Sequence, residues 1–101
     1  MYRYVKSTKT SYKKTVGRHT YLIDVQSKDT NKPEFTVKQE DGNVEAYMNA
    51  SRSRRAVIVK NDNLYKAINF APYDEENSLR SIDEWFDHMI DEVIAELEAI
   101  S

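Results

Sequence analysis

Cysteine is absent from this 101-residue chain, and glycine and proline occur only twice each. The first absence removes disulfides, thiolate metal sites and thiol nucleophiles together, and it fits a reducing, cytoplasmic setting. The second leaves few sharp breaks, so regular elements and short loops are expected. It also removes the glycine-rich cradle in which backbone amides approach a nucleotide phosphate. Gly17 and Gly42 stand alone and read as turns. No apolar run approaches the roughly 18 residues of a membrane span. The basic N-terminus is followed by neither an apolar core nor a small-residue cleavage site, so it does not read as a secretory signal. Asn49-Ala50-Ser51 matches the glycosylation triplet, which a cytoplasmic chain does not use.

Histidine is nearly as scarce. His19 and His88 lie far apart on unlike elements, and metal sites need ligands clustered at short fixed spacings. Both read as surface residues. No serine sits in a nucleophile-elbow setting. The carboxylates fall mainly on one helix face, without the burial that raises a catalytic pKa. The expectation is a protein that is not an enzyme, with no cofactor and no metal.

What is present argues for one globular domain. Apolar residues make up 40% of the chain, charged residues 32%, and eleven side chains are aromatic. That is enough to close a single core. The formal net charge of −2 conceals a polarity along the chain. Residues 1–60 hold thirteen Lys and Arg against six Asp and Glu, whereas residues 61–101 hold two against eleven.

Period-two patterning runs to about residue 70. In "RHTYLIDVQ", Tyr21, Ile23 and Val25 alternate with Thr20, Asp24 and Gln26, with Leu22 breaking the polar side, the mark of a strand with one buried face. "KDTNKP" reads as a loop. "EFTVKQEDGNVEAYMN" predicts a hairpin, with Asp41-Gly42 as a tight turn because both residues tolerate positive φ. "RAVIVK" and "LYKAINF", separated by "NDN", predict a second hairpin, and "YRYVK" (2–6) a further strand. From Ser81 the period changes. Ile82, Trp85, Phe86, Met89, Ile90, Val93, Ile94, Leu97 and Ile100 recur at helical spacing, and Ser81 with Glu84 forms a capping box. The predicted fold is α+β: a five- to six-stranded antiparallel meander covered by one C-terminal helix, over about 81–100.

Two charge constellations carry the functional expectation. The first is basic: Arg3, Lys6, Lys9, Lys13, Lys14 and Arg18 are interleaved with Tyr2, Tyr4, Tyr12 and Tyr21, and "SRSRR" adds Arg52, Arg54 and Arg55. Cations neutralise phosphates, exposed rings offer bases a stacking surface, and the planar fork of Arg bonds two oxygens at once. These residues predict single-stranded or sequence-independent nucleic-acid binding. The opposing reading is that they are solvated strand edges, with the tyrosine rings in the core.

The second constellation is acidic. Asp83, Glu84, Asp87, Asp91, Glu92, Glu96 and Glu98 lie on the helix, and no Lys or Arg follows Arg80. Like charges four apart repel, and Glu96 and Glu98 meet the negative end of the helix dipole. The strands supply the missing cations, or Asp87, Asp91 and Glu98 face a basic partner protein, or the acids imitate a row of phosphates. The wide apolar arc of the helix also leaves room for a homodimer.

An antiparallel sheet followed by one amphipathic C-terminal helix resembles the Whirly-type single-stranded DNA-binding coactivators. That resemblance implies basic and aromatic strand residues facing nucleic acid and a helix that assists dimerisation. The "MYRYVKS" opening and the scarcity of Gly and Pro are also similar in style to short phage and plasmid proteins. That likeness implies an antagonist of host machinery, such as an anti-CRISPR.

Overall fold

The computed structural model describes residues 10–74 and 80–101. Six strands, β1 (Thr10–Val16), β2 (His19–Ser27), β3 (Glu34–Gln39), β4 (Val44–Met48), β5 (Arg55–Lys60) and β6 (Asn63–Asn69), precede one helix, α1 (Ile82–Ile100). The strands pair antiparallel in sequence order, so the sheet is a meander with β1 and β6 at its edges. This is the predicted α+β architecture. The strand expected over 2–6 lies outside the described residues. Strand β1 was not anticipated, because "TSYKKTV" has no apolar alternation and six of its seven residues are exposed.

Alternation decides which face is buried. Tyr21, Ile23 and Val25 of β2, Phe35 and Val37 of β3, Val44, Ala46 and Met48 of β4, and Ala56 and Ile58 of β5 all point to one side. Against them lies α1, contributing Trp85, Phe86, Met89, Ile90, Val93, Ile94 and Leu97 to the same core. Burial of these side chains, at about 25 cal/mol per Å² of apolar surface, is what holds helix to sheet. No helix of the described residues is long and apolar enough to cross a membrane.

The ends of α1 are satisfied by different means. Ser81 Oγ accepts from the Glu84 backbone N–H, while the Ser81 backbone N–H donates to Glu84 Oε1, both at 3.1 Å. That capping box is the predicted one. At the other end the last turn holds no basic residue. Its cation comes from β5 instead, where Lys60 Nζ donates to the Ile100 carbonyl at 2.8 Å.

One turn differs from expectation. Neither Asp41 nor Gly42 adopts positive φ, and a four-residue connection joins β3 to β4. The tight turn with two left-handed residues is Asn61-Asp62, at φ 52° and 63°. Gly42 is needed for space: a Cβ there would collide with the Gln39 amide. That amide donates at 3.1 Å to the Tyr21 hydroxyl and at 2.7 Å to Ser101 Oγ.

Candidate nucleic-acid interface

The meander sets the positions of the basic residues. The β1–β2, β3–β4 and β5–β6 turns lie at one end of the sheet with the helix C-terminus. The β2–β3 and β4–β5 loops lie at the other, with the helix N-terminus. Arg18 therefore sits at one end, and Arg52, Arg54 and Arg55 at the opposite end. Strands of six or seven residues, at ~3.3 Å each, separate the two groups by roughly 20 Å. Arg3 and Lys6 lie outside the described residues. Among the described residues the two basic clusters thus form no single patch.

Adjacent lysines on β1 face opposite ways. Lys14 pairs in register with Tyr21, on the helix side, and Lys13 with Leu22, on the outer side. Lys14 Nζ bonds Asp91 of α1, whereas Lys13 approaches Glu40 at 3.7 Å with both side chains largely exposed. Lys28 reaches Asp83 at 2.6 Å and lies 5.9 Å from the Phe86 ring centre. Lys66, on the far edge strand, bonds Glu96. Asp83, Asp91 and Glu96 of α1 are therefore met by cations from the sheet and its loops, from both edges in the case of Asp91 and Glu96. Of the acids expected to face a partner, Asp91 is engaged in this way, and Glu98 is held by His19 and Tyr21 of β2. Asp87 is exposed; burial first, then the charges of Asp87 and Asp91, raises the Tyr12 pKa.

Glu98 closes a compact cluster beneath the β1–β2 turn. His19 Nδ1 donates to Glu98 Oε2 at 2.6 Å, and the Tyr21 hydroxyl donates to the same oxygen. Gly17, at φ 63°, allows the approach, since a Cβ there would stand 2.6 Å from Glu98 Oε1. Donation by Tyr21, and secondarily by His19, holds the Glu98 carboxyl below the usual carboxylate range despite its burial. Burial, then the Glu98 hydrogen bond, pushes Tyr21 up to about 12.

The sign of the pH dependence follows. A lowered carboxyl pKa contributes stability that is present above its unfolded pKa and lost as pH falls through the folded value. Glu98→Gln is expected to cost about 1–2 kcal/mol at neutral pH, the scale of a hydrogen bond to a charged group. The gap in melting temperature between wild type and variant should narrow as pH falls from about 5 to about 3. A gap constant with pH would show that the Glu98 charge does not hold the cluster.

The arginine loop is built differently. Arg52, Arg54 and Arg55 pair with no carboxylate among the described residues. Arg54 Nε donates to the Phe70 carbonyl at 3.3 Å, and Arg55 Nε donates to Asn69 Oδ1 at 3.2 Å. Each bond uses the inner nitrogen, which leaves the Nη pair to bind an anion. Arg54 is held at φ 48°, a left-handed conformation that costs a β-carbon-bearing residue about 1 kcal/mol. Its backbone carbonyl accepts from the Phe70 N–H at 3.0 Å, and its N–H donates to the Ser51 carbonyl at 3.2 Å. Ser51 Oγ also meets Ser53 Oγ at 3.0 Å and accepts from the Ser53 N–H at 3.3 Å. Composition pointed to the arginines. Their anchors, Asn69 at the end of β6 and Phe70 just after it, could not be found that way, because Arg55 meets Asn69 only once β5 pairs with β6.

Two shallow grooves open on the surface of the described residues. One is polar, between Lys38, Asn43, Glu45, Asn61 and Asp62. The other lies beside the helix start, between Phe70, Pro72, Tyr73, Arg80, Trp85 and His88. His88 comes no nearer than 4.0 Å to Glu92, and among the described residues no three His, Asp or Glu converge to hold a metal ion. No known family model matches the chain, and neither a curated protein nor a solved structure matches it.

Proposed function

We propose that this chain is a small, non-enzymatic, cytoplasmic protein that binds nucleic acid through the loop of Arg52, Arg54 and Arg55, reading phosphate rather than base sequence. One observation carries this. Lys14, Lys28 and Lys66 are each matched by a helix carboxylate, whereas the loop arginines have no carboxylate partner among the described residues. Arginines fixed through Nε keep a two-pronged donor for phosphate oxygens. The strain at Arg54 fits the same reading, since strained backbone concentrates at functional sites. Lys32, on the neighbouring β2–β3 loop, adds a cation at the same end of the sheet.

The competing reading, capture of a basic protein by the helix acids, draws less support because Asp91 and Glu98 already have partners within the fold. Titrating labelled single- and double-stranded oligonucleotides at low salt tests the proposal. Binding is expected on unrelated sequences and should weaken steeply with added salt. Absence of binding to either form at low salt would sink it.

A further inference from the structure

The groove beside the helix start adjoins the arginine loop through one residue, Phe70. Arg54 Nε donates to the Phe70 carbonyl at 3.3 Å, and the Phe70 N–H donates to the Arg54 carbonyl at 3.0 Å. Phe70 in turn lines the groove with Pro72, Tyr73 and Trp85. The rings are held in place from behind. The Tyr73 hydroxyl donates to the Arg80 carbonyl at 2.8 Å, and its ring centre lies 5.5 Å from that of Trp85. Trp85 is 7% exposed and packs edge-on against Phe86, so the core fixes it. Phe70 and Tyr73 are only half-buried, and each offers ring surface to the groove without moving. Among the described residues the groove holds about 240 Å³, below the roughly 300–1,000 Å³ of a pocket for a drug-sized ligand. That space suits one flat ring rather than a whole ligand.

The neighbouring loop decides which flat ring. Arg54 uses Nε on Phe70 and keeps its Nη pair for an anion. Along a nucleic-acid strand each phosphate is one sugar away from a base, so a phosphate held at Arg54 brings the adjoining base to the groove. A base within a duplex is already stacked and paired and does not enter. An unpaired base does, and stacking on aromatic rings tolerates any base because each has a π-face. The charge of the lining does not oppose this, since Asp74 is accompanied there by Arg80 and His88.

We propose that the groove of Phe70, Tyr73 and Trp85 receives one unpaired base of a strand whose phosphate is held by Arg54, so that single-stranded nucleic acid is the preferred ligand. The base site rests on the arginine loop holding phosphate, as proposed above, and adds a contact that phosphate alone does not give.

Trp85 is the only tryptophan of the chain, so its fluorescence reports on this groove. The wild type is titrated at low salt with an oligothymidylate, an abasic deoxyribose-phosphate strand of the same length, and a duplex. The oligothymidylate is expected to bind roughly tenfold more tightly than the abasic strand and to quench Trp85. The abasic strand and the duplex should bind through the arginines and leave the emission unchanged. Tyr73→Leu keeps an apolar side chain but removes the ring. It should hold the oligothymidylate no better than the abasic strand, and the abasic strand as well as the wild type does. Circular dichroism establishes that this variant is folded, and the wild-type comparison does not depend on it. Equal wild-type affinity for the oligothymidylate and the abasic strand would overturn the base site and leave phosphate binding standing. So would an emission that the oligothymidylate leaves unchanged, equal quenching by the duplex, or a folded Tyr73→Leu that still discriminates. Failure of all three probes to bind would remove the arginine site and the base site together.

Discussion

Reversing Arg52, Arg54 and Arg55 to Glu together is expected to lower affinity for an oligonucleotide about a thousand-fold at low salt. The figure follows from losing three charge-assisted contacts, each worth roughly 1.5 kcal/mol or more. Stability should change far less, because Arg52 and Arg55 are exposed, where substitutions usually cost within about 0.5 kcal/mol, and half-buried Arg54 loses one bond, to the Phe70 carbonyl, worth about 1 kcal/mol. Arg54→Gly sharpens the distinction. Glycine takes φ 48° without penalty, so this variant should be as stable as wild type or slightly more so, yet bind more weakly. Equal loss of stability and binding would place Arg54 in the scaffold rather than in the site.

The second large effect concerns the contact between helix and sheet. Phe86 is 1% exposed and meets Phe35 and Trp85 edge-on, at centroid separations of 6.5 and 5.3 Å. Phe86→Ala is expected to cost about 3–5 kcal/mol, from lost burial together with the cavity left behind. Against the usual 5–15 kcal/mol of a small domain, that removes much of the stability. The midpoint of urea unfolding should fall sharply. Tyr65→Ala, on an exposed edge position, should leave it within about 0.5 kcal/mol. If Phe86→Ala unfolded at the wild-type midpoint, α1 would not be seated on this sheet.

The elements most legible in the sequence were those whose signal is local. Ser81 and Glu84 announce the helix start because both halves of the capping box lie within four residues. Tyr21, Ile23 and Val25 announce β2 because one face is wholly buried. Strand β1 escaped notice because an edge strand with mostly exposed residues has no apolar period to read. Asp41-Gly42 misled because its left-handed tolerance went unused: the Gln39 side chain required the missing Cβ, and Asn61-Asp62 took the tight turn instead.

The charge layout was legible only in outline. The excess of cations in one part and acids in the other is plain from composition. Which cation meets which acid depends on strand register, which sets the face each lysine takes. Lys13 and Lys14 are neighbours in sequence, yet they face opposite sides of the sheet. Lys60 reaches a helix end forty residues later. The arginine loop separated from the rest only when the lysines on the helix side had found partners.

That separation between committed lysines and available arginines is the centre of the account, and the salt dependence of oligonucleotide binding tests it most directly. The slope of log K against log salt counts the phosphates neutralised, at about 0.7 per contact for a single strand. Replacing Arg52, Arg54 and Arg55 by Ala should reduce the slope by about 2. Lys14→Ala, which removes only the partner of Asp91, should leave it unchanged. A slope that falls with Lys14→Ala and survives the loss of the three arginines would contradict the account.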